Sequence, residues 1–176
     1  MKKTPLLLTL LTSSWLMAGN LVITHAKVQA HTQVFGDSTI NPETTHLTSH
    51  LKMGKSIKSI RGTIDILVNT LKSDNETRDE HMAKAIASKE YPLAKYTIES
   101  IDKSAKGYTL HGLLNFHNIK KPLDIQAKIK QNNNKVIFHG TSSFLMSNYG
   151  VTPPKMFFLT VRDRIDLKID ATFKNK

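Results

Sequence analysis

Between Ile60 and Val68 the even positions read Ile60, Gly62, Ile64, Ile66 and Val68, and the odd positions read Arg61, Thr63, Asp65, Leu67 and Asn69. One face is apolar and the other mostly polar, the period-2 signature of a strand half-buried on a core. The pattern returns four times. Tyr96, Ile98 and Ser100 alternate with Lys95, Thr97 and Glu99, and Tyr108, Leu110, Gly112, Leu114 and Phe116 alternate with Thr109, His111, Leu113, Asn115 and His117. Leu123, Ile125, Ala127 and Ile129 alternate with Asp124, Gln126, Lys128 and Lys130, and Ile165, Leu167, Ile169, Ala171 and Phe173 with Asp166, Lys168, Asp170 and Thr172. The segment Val136–Met146 is similar, with Phe138 and Phe144 on one face and Ile137 and Leu145 on the other.

Short turn signals join these runs. Ser104-Ala105-Lys106-Gly107 and Asn132-Asn133-Asn134 have hairpin length, and Asn118, which tolerates a positive φ, marks a tight turn before Lys120-Lys121-Pro122. Many strands joined by short turns predict an antiparallel meander, and closure into a barrel covers its apolar face and removes its edges. The fold class is therefore mainly all-β: an antiparallel, lipocalin-like barrel of about eight strands. The predicted inner face comprises Ile64, Ile66, Tyr96, Ile98, Leu110, Leu114, Phe116, Ile125, Phe138, Phe144, Leu167 and Ile169. These side chains line an apolar tunnel for an alkyl chain, or they fill a solid core; a barrel of this size accommodates either.

Residues 75–90 break the period. Met82, Ala85 and Ile86 recur at spacing three and four, which predicts one short helix near residues 76–88 with a narrow apolar stripe. Asn75 or Thr77 is placed to cap it, Thr77 and Glu80 fit a capping box, and Pro92 follows its end.

The first thirty residues are of a different kind. Met1-Lys2-Lys3 is basic, Pro5 to Ile23 is largely apolar and uncharged though diluted by Thr9, Thr12, Ser13, Ser14, Gly19 and Asn20, and Thr24-His25-Ala26 and Val28-Gln29-Ala30 offer small residues at the spacing of a cleavage site. This predicts a signal peptide over residues 1–30, cleaved after Ala26 or Ala30, and a barrel domain over residues 31–176 in the periplasm. The alternative is an uncleaved helix that anchors the chain in the inner membrane. The 176 residues include no cysteine, which excludes disulfides, thiolate metal sites and a cysteine nucleophile. The net charge is +11, and removing residues 1–30 leaves +8. The lysines are dispersed over outer faces and turns, so the expectation is weak attraction to an anionic membrane surface and no nucleic-acid binding.

Three stretches carry a family resemblance. Asn75-Glu-Thr-Arg78-Asp79-Glu-His81-Met82 with Tyr91-Pro92, then Leu110-His-Gly112-Leu113-Leu-Asn-Phe-His117-Asn-Ile119-Lys-Lys-Pro122, then Phe144-Leu-Met-Ser147-Asn-Tyr149-Gly150-Val151-Thr-Pro153-Pro154 occur in the order and spacing of the YceI family. The chain resembles the family's shorter branch, without the Phe pair of longer members. The resemblance implies an eight-stranded lipocalin-like barrel, a bacterial and exported protein, and an isoprenoid or other aliphatic chain in the lumen.

Among polar residues, Arg78, Asp79 and His81 could serve acid–base chemistry, but in a first helical turn they are better explained by the helix dipole and local pairing. His46 and His50 share a face, and His111, His117 and His139 lie on outward faces, at spacings that fit no familiar metal site. The sequence thus reads as an exported carrier of a hydrophobic small molecule, isoprenoid or fatty-acid-like, with no enzyme activity, cofactor or metal. The rival reading is a ligand-free envelope protein acting through its basic outer surface.

Overall fold

The computed structural model describes residues 18–34, 38–156 and 159–176. In chain order the elements are β1 (Gly19–Val34), β2 (Ser38–Ile40), β3 (Glu43–Thr44), β4 (Leu47–Met53), β5 (Arg61–Leu67), α1 (Glu76–Ala85), β6 (Leu93–Ser104), β7 (Gly107–Phe116), β8 (Ile119–Asn132), β9 (Lys135–Leu145), β10 (Lys155–Met156), β11 (Leu159–Thr160) and β12 (Arg164–Asn175). The sheet runs β12-β9-β8-β7-β6-β5-β4-β1, every pairing antiparallel, and β1 returns to β12 from Leu21↔Asn175 to His31↔Asp166. That last pairing closes an eight-stranded barrel, as the alternation predicts, and among the described residues α1 is its one α-helix.

Two β-bulges decide which residues face inward, because one extra residue moves every later side chain to the other face. In β6 the register with β7 shifts between Ile98 and Ser100. Ile101 is therefore buried and Ser100 leaves the inward set in which simple alternation placed it. In β1 the shift falls between Ile23 and His25, so Leu21 and Ile23 share the inner face with Ala26 and Val28.

β1 also changes the reading of the N-terminus. Residues 1–17 of the expected leader lie outside the described residues, but Gly19 to Ala30 form most of the strand that closes the barrel. A chain beginning at Lys27 or His31 would lack the first eight or twelve residues of that strand. Both small-residue sites, Thr24-His25-Ala26 and Val28-Gln29-Ala30, sit inside this paired strand.

The turns follow local chemistry. His117 and Asn118 both take positive φ, 51° and 58°, in the two-residue β7–β8 turn, and Asn133 does so between β8 and β9. Asn75 caps α1, its Oδ1 accepting from the Arg78 amide at 2.9 Å; Thr77 lies inside the helix, so the Thr77–Glu80 box is not the cap. The two barrel ends differ. One carries the β4–β5, β6–β7 and β8–β9 turns and a 3-10 turn at Ile57–Ser59; the other carries α1 and the long β9–β12 connection with a 3-10 turn at Met146–Tyr149.

Candidate ligand-binding lumen

The inward side chains enclose an apolar cavity of about 80 Å³ that presents no polar surface. Ile64, Ile66, Tyr96, Ile98, Leu110, Ile125, Phe138 and Ile169 line it, as the alternation predicts. The structure adds Leu21, Ile23, Ala26 and Val28 of β1, Leu47 and Leu51 of β4, and Ile60, Ile101, Ile129, Val136, Ala171 and Phe173. The β1 residues escaped sequence reading because a bulge breaks their alternation inside a stretch that also resembles a leader.

Leu114, Phe116, Phe144 and Leu167 do not line the cavity. Leu114 and Phe116 are buried, and Leu167 is half-buried against the core. Phe116 and Phe144 belong to an aromatic plug: their rings lie 5.8 Å apart, and Tyr149 sits 5.9 Å from the first and 5.2 Å from the second, all edge-to-face. This geometry suits the ring quadrupoles. The Met146–Tyr149 turn brings Tyr149 over the barrel mouth, a placement that no period in the sequence reveals. Tyr149 and Val151 are each only 2% exposed, so this end is shut.

Two glycines shape the space inside. At Gly112 a Cβ would lie 2.7 Å from the Tyr96 ring and hydroxyl, and at Gly140 one would lie 2.6 Å from the Phe138 ring and 2.9 Å from Ile125 Cγ2. Each aromatic ring therefore lies across a missing side chain on a neighbouring strand or its own. The Tyr96 hydroxyl donates to the Leu123 carbonyl at 2.9 Å and also lies 3.2 Å from that of Leu110. The lumen thus holds a phenol without exposing a polar atom to it. Burial, reinforced by the charges of Asp124 and Glu99, pushes the Tyr96 pKa up, so it stays neutral.

The polar groups flagged in the sequence do not converge. Arg78 pairs outward with Asp74 at 2.9 Å. Asp79 is buried and accepts from the Ser73 amide at 2.9 and 3.1 Å, fixing the loop before α1. His81 is exposed. His111 lies between Asp124 at 2.9 Å and Asp102 at 3.3 Å, His139 bonds Asp170 at 2.6 Å, and the His117 ring packs against Tyr91. His50 approaches Asp65 at 3.6 Å. Each histidine bound to a carboxylate thus has its own partner. The hydrogen bond to Asp124 chiefly raises the His111 pKa above its ordinary value.

Outside the wall, an open groove of about 840 Å³ crosses β1, β12, β9 and β8, with His31, Asp124, Arg164, Asp166 and Lys168 among its lining. Burial alone would raise the Asp166 pKa, but bonds from Arg164 and Arg162 outweigh it and hold the carboxyl below its usual range. The groove mixes both signs of charge and has no apolar floor comparable to the lumen.

Known structures share this architecture. Burkholderia cenocepacia BcnA superposes with a TM-score of 0.72 at 17% identity, over 84% of this chain and 95% of that one. A polyisoprenoid binding domain from Saccharophagus degradans, implicated in plant cell wall breakdown, gives 0.66 at 10% identity, over 90% and 99%. A mutant of the Campylobacter jejuni YceI protein gives 0.55 at 14% identity, over 99% and 93%. No curated protein matches the chain. The YceI-like domain matches residues 20–173, from the second residue of β1 to Phe173 of β12, and by that match the chain belongs to the YceI-like family.

Proposed function

We propose that this protein is an exported binding protein that holds the hydrocarbon chain of an isoprenoid or fatty-acid-like molecule in its barrel. The observation that carries this reading is the lumen: a closed barrel whose internal cavity is apolar throughout, with its one inward phenol bonded to backbone. The shared fold of the Saccharophagus degradans polyisoprenoid binding domain supports the same class of ligand.

The size of the cavity sets a condition. At about 80 Å³ it is well below the roughly 300 Å³ at which drug-sized pockets begin. Filling it would recover about 2 kcal/mol at about 24 cal/mol per Å³, less than the roughly 4 kcal/mol of millimolar binding. Useful affinity needs more buried methylenes, at about 0.8 kcal/mol each, and therefore a wider lumen. Phe138 is the side chain to displace: it is half-buried and rests over Gly140 rather than interlocking with a side chain there.

Export follows the same reading, with the processing point moved. Cleavage before Gly19, after the small residue Ala18, keeps β1 whole and leaves the chain soluble in the periplasm. Intact-mass analysis of the periplasmic form should give a start at or before Gly19; a start at Lys27 or His31 would refute this placement. For the ligand, native mass spectrometry of protein purified without detergent, followed by solvent extraction, should show an aliphatic adduct. A protein of bare mass that also takes up no added isoprenoid alcohol would favour the surface-acting alternative.

A further inference from the structure

The barrel wall is not uniformly stitched. Pairing of β1 with β4 runs from Gly19↔Met53 to Leu21↔Leu51 and stops there. β1 next pairs on that side at Val28↔Thr44 and Gln29↔Glu43, with β3. Between these points Val22–Lys27 and Thr45–His50 face each other without ladder pairing, although the register is the same at both ends of the gap. Six residues per bank make a slot about 20 Å long at roughly 3.3 Å per residue. Every other joint of the barrel is paired at six or more positions, broken at most by a single bulged residue.

Both banks of the slot belong to the lumen. Ile23 and Ala26 on one side and Leu47 on the other line the cavity. The barrel ends are shut by comparison. Leu21, Met53, Ile101 and Val136 at the hairpin end, and Tyr149 and Val151 at the plugged end, are each no more than 2% exposed. The slot runs out at Thr45 and His46 onto a polar recess of about 610 Å³, whose lining includes Asn41, Thr70, Lys72 and Ser73. Two acids also line this recess, but Glu43 is held by Lys27 at 3.1 Å and Asp74 by Arg78 at 2.9 Å. Lys72 and His46 remain to meet a polar or anionic group.

We infer that the β1–β4 seam is the portal through which a single-chain amphiphile enters sideways, its tail passing into the lumen and its polar head resting in the recess beside Lys72. This rests on the carrier reading. Parting the seam costs no ladder hydrogen bonds over six residues, only the bond that the Ser49 hydroxyl donates to the Leu21 carbonyl at 2.7 Å.

The chain has no cysteine, so a link can be placed at will. Thr24→Cys with Thr48→Cys joins two exposed, opposed positions across the slot, by a disulfide or a short bis-maleimide. Lys128→Cys with His139→Cys joins a fully paired joint as the control. The probe is cis-parinaric acid, followed by stopped-flow fluorescence. The seam link should slow both association and dissociation by at least about tenfold, with affinity little changed, and the control link should slow neither. Equal rates with and without the seam link, or equal slowing by both links, would overturn the portal. If the unlinked protein binds no parinaric acid, the carrier reading fails and the portal falls with it. For the head, Lys72→Met should weaken the acid by about two- to fivefold and leave its methyl ester unaffected. Unchanged affinity for the acid, or an equal loss for the ester, would overturn the recess as its seat.

Discussion

Ala171→Val puts the lumen to a quantitative test. Ala171 is 7% exposed, lines the cavity and lies on β12 between Ala26 of β1 and Phe138 of β9. Valine adds two methyl groups, each close to the roughly 30 Å³ that a water molecule occupies, so about 60 Å³ is placed in a void of about 80 Å³. Two buried carbons contribute about 1.6 kcal/mol, and ordering the larger side chain returns about 0.5 kcal/mol. β-branching suits the strand. The net expectation is about 1 kcal/mol of stabilisation, or about 2–4 °C in Tm for a domain of this size. Urea unfolding followed by circular dichroism should show a higher midpoint at an unchanged slope. The same variant should retain an aliphatic ligand less well, since the space is taken. A loss of 1–3 kcal/mol would be the signature of overpacking and would refute an open lumen at this position.

Gly140→Ala should do the opposite to the apo protein, lowering stability by about 1–3 kcal/mol in the same assay, because the new Cβ meets the Phe138 ring. Asp79→Ala strips the part-buried Ser73 amide of its acceptor and should cost about 1 kcal/mol with no change in ligand binding, measured by paired unfolding and binding titrations. His111 should titrate above its ordinary value of about 6.5 in an NMR pH series, and Asp124→Asn should bring it down. Its folded-state pKa is raised, so whatever stability it contributes is complete below the unfolded value and lost as pH rises through the folded one.

Strands β5, β7, β8 and β12 were legible because their inner residues alternate without interruption, as in Leu123–Ile129 of β8, and because the turns between strands carry Asn and Gly. Two bulges marked the limit of that reading. In β6 one hid Ile101 and offered Ser100 in its place; in β1 one split Leu21 and Ile23 from Ala26 and Val28. Eight of the twelve inner residues named from alternation line the cavity. The other four are displaced by long-range events, chiefly the Met146–Tyr149 turn folding back over Phe116 and Phe144. Period alone states which face a residue takes, not how far along the barrel the free space extends. The Tyr96–Gly112 pair was likewise invisible, since it depends on a ring lying across a backbone position of the neighbouring strand, which the sequence does not connect to it.

The pairing of β1 with β12 has a consequence for how this protein is made. The strand at Gly19–Val34 is the first of the barrel to be synthesised, and its partner at Arg164–Asn175 is the last. Contacts of such sequence separation are slow to form, because the whole intervening chain is the loop to be closed. Until the final strand has emerged, β1 has only the short β2, β3 and β4 contacts to hold it, and the apolar lining from Leu21 to Phe173 remains an open trough. A chain threaded through a membrane from its N-terminus would present that trough to its surroundings during passage. The barrel is therefore a container completed last at one wall, and a hydrocarbon chain present at that moment would be enclosed by folding itself.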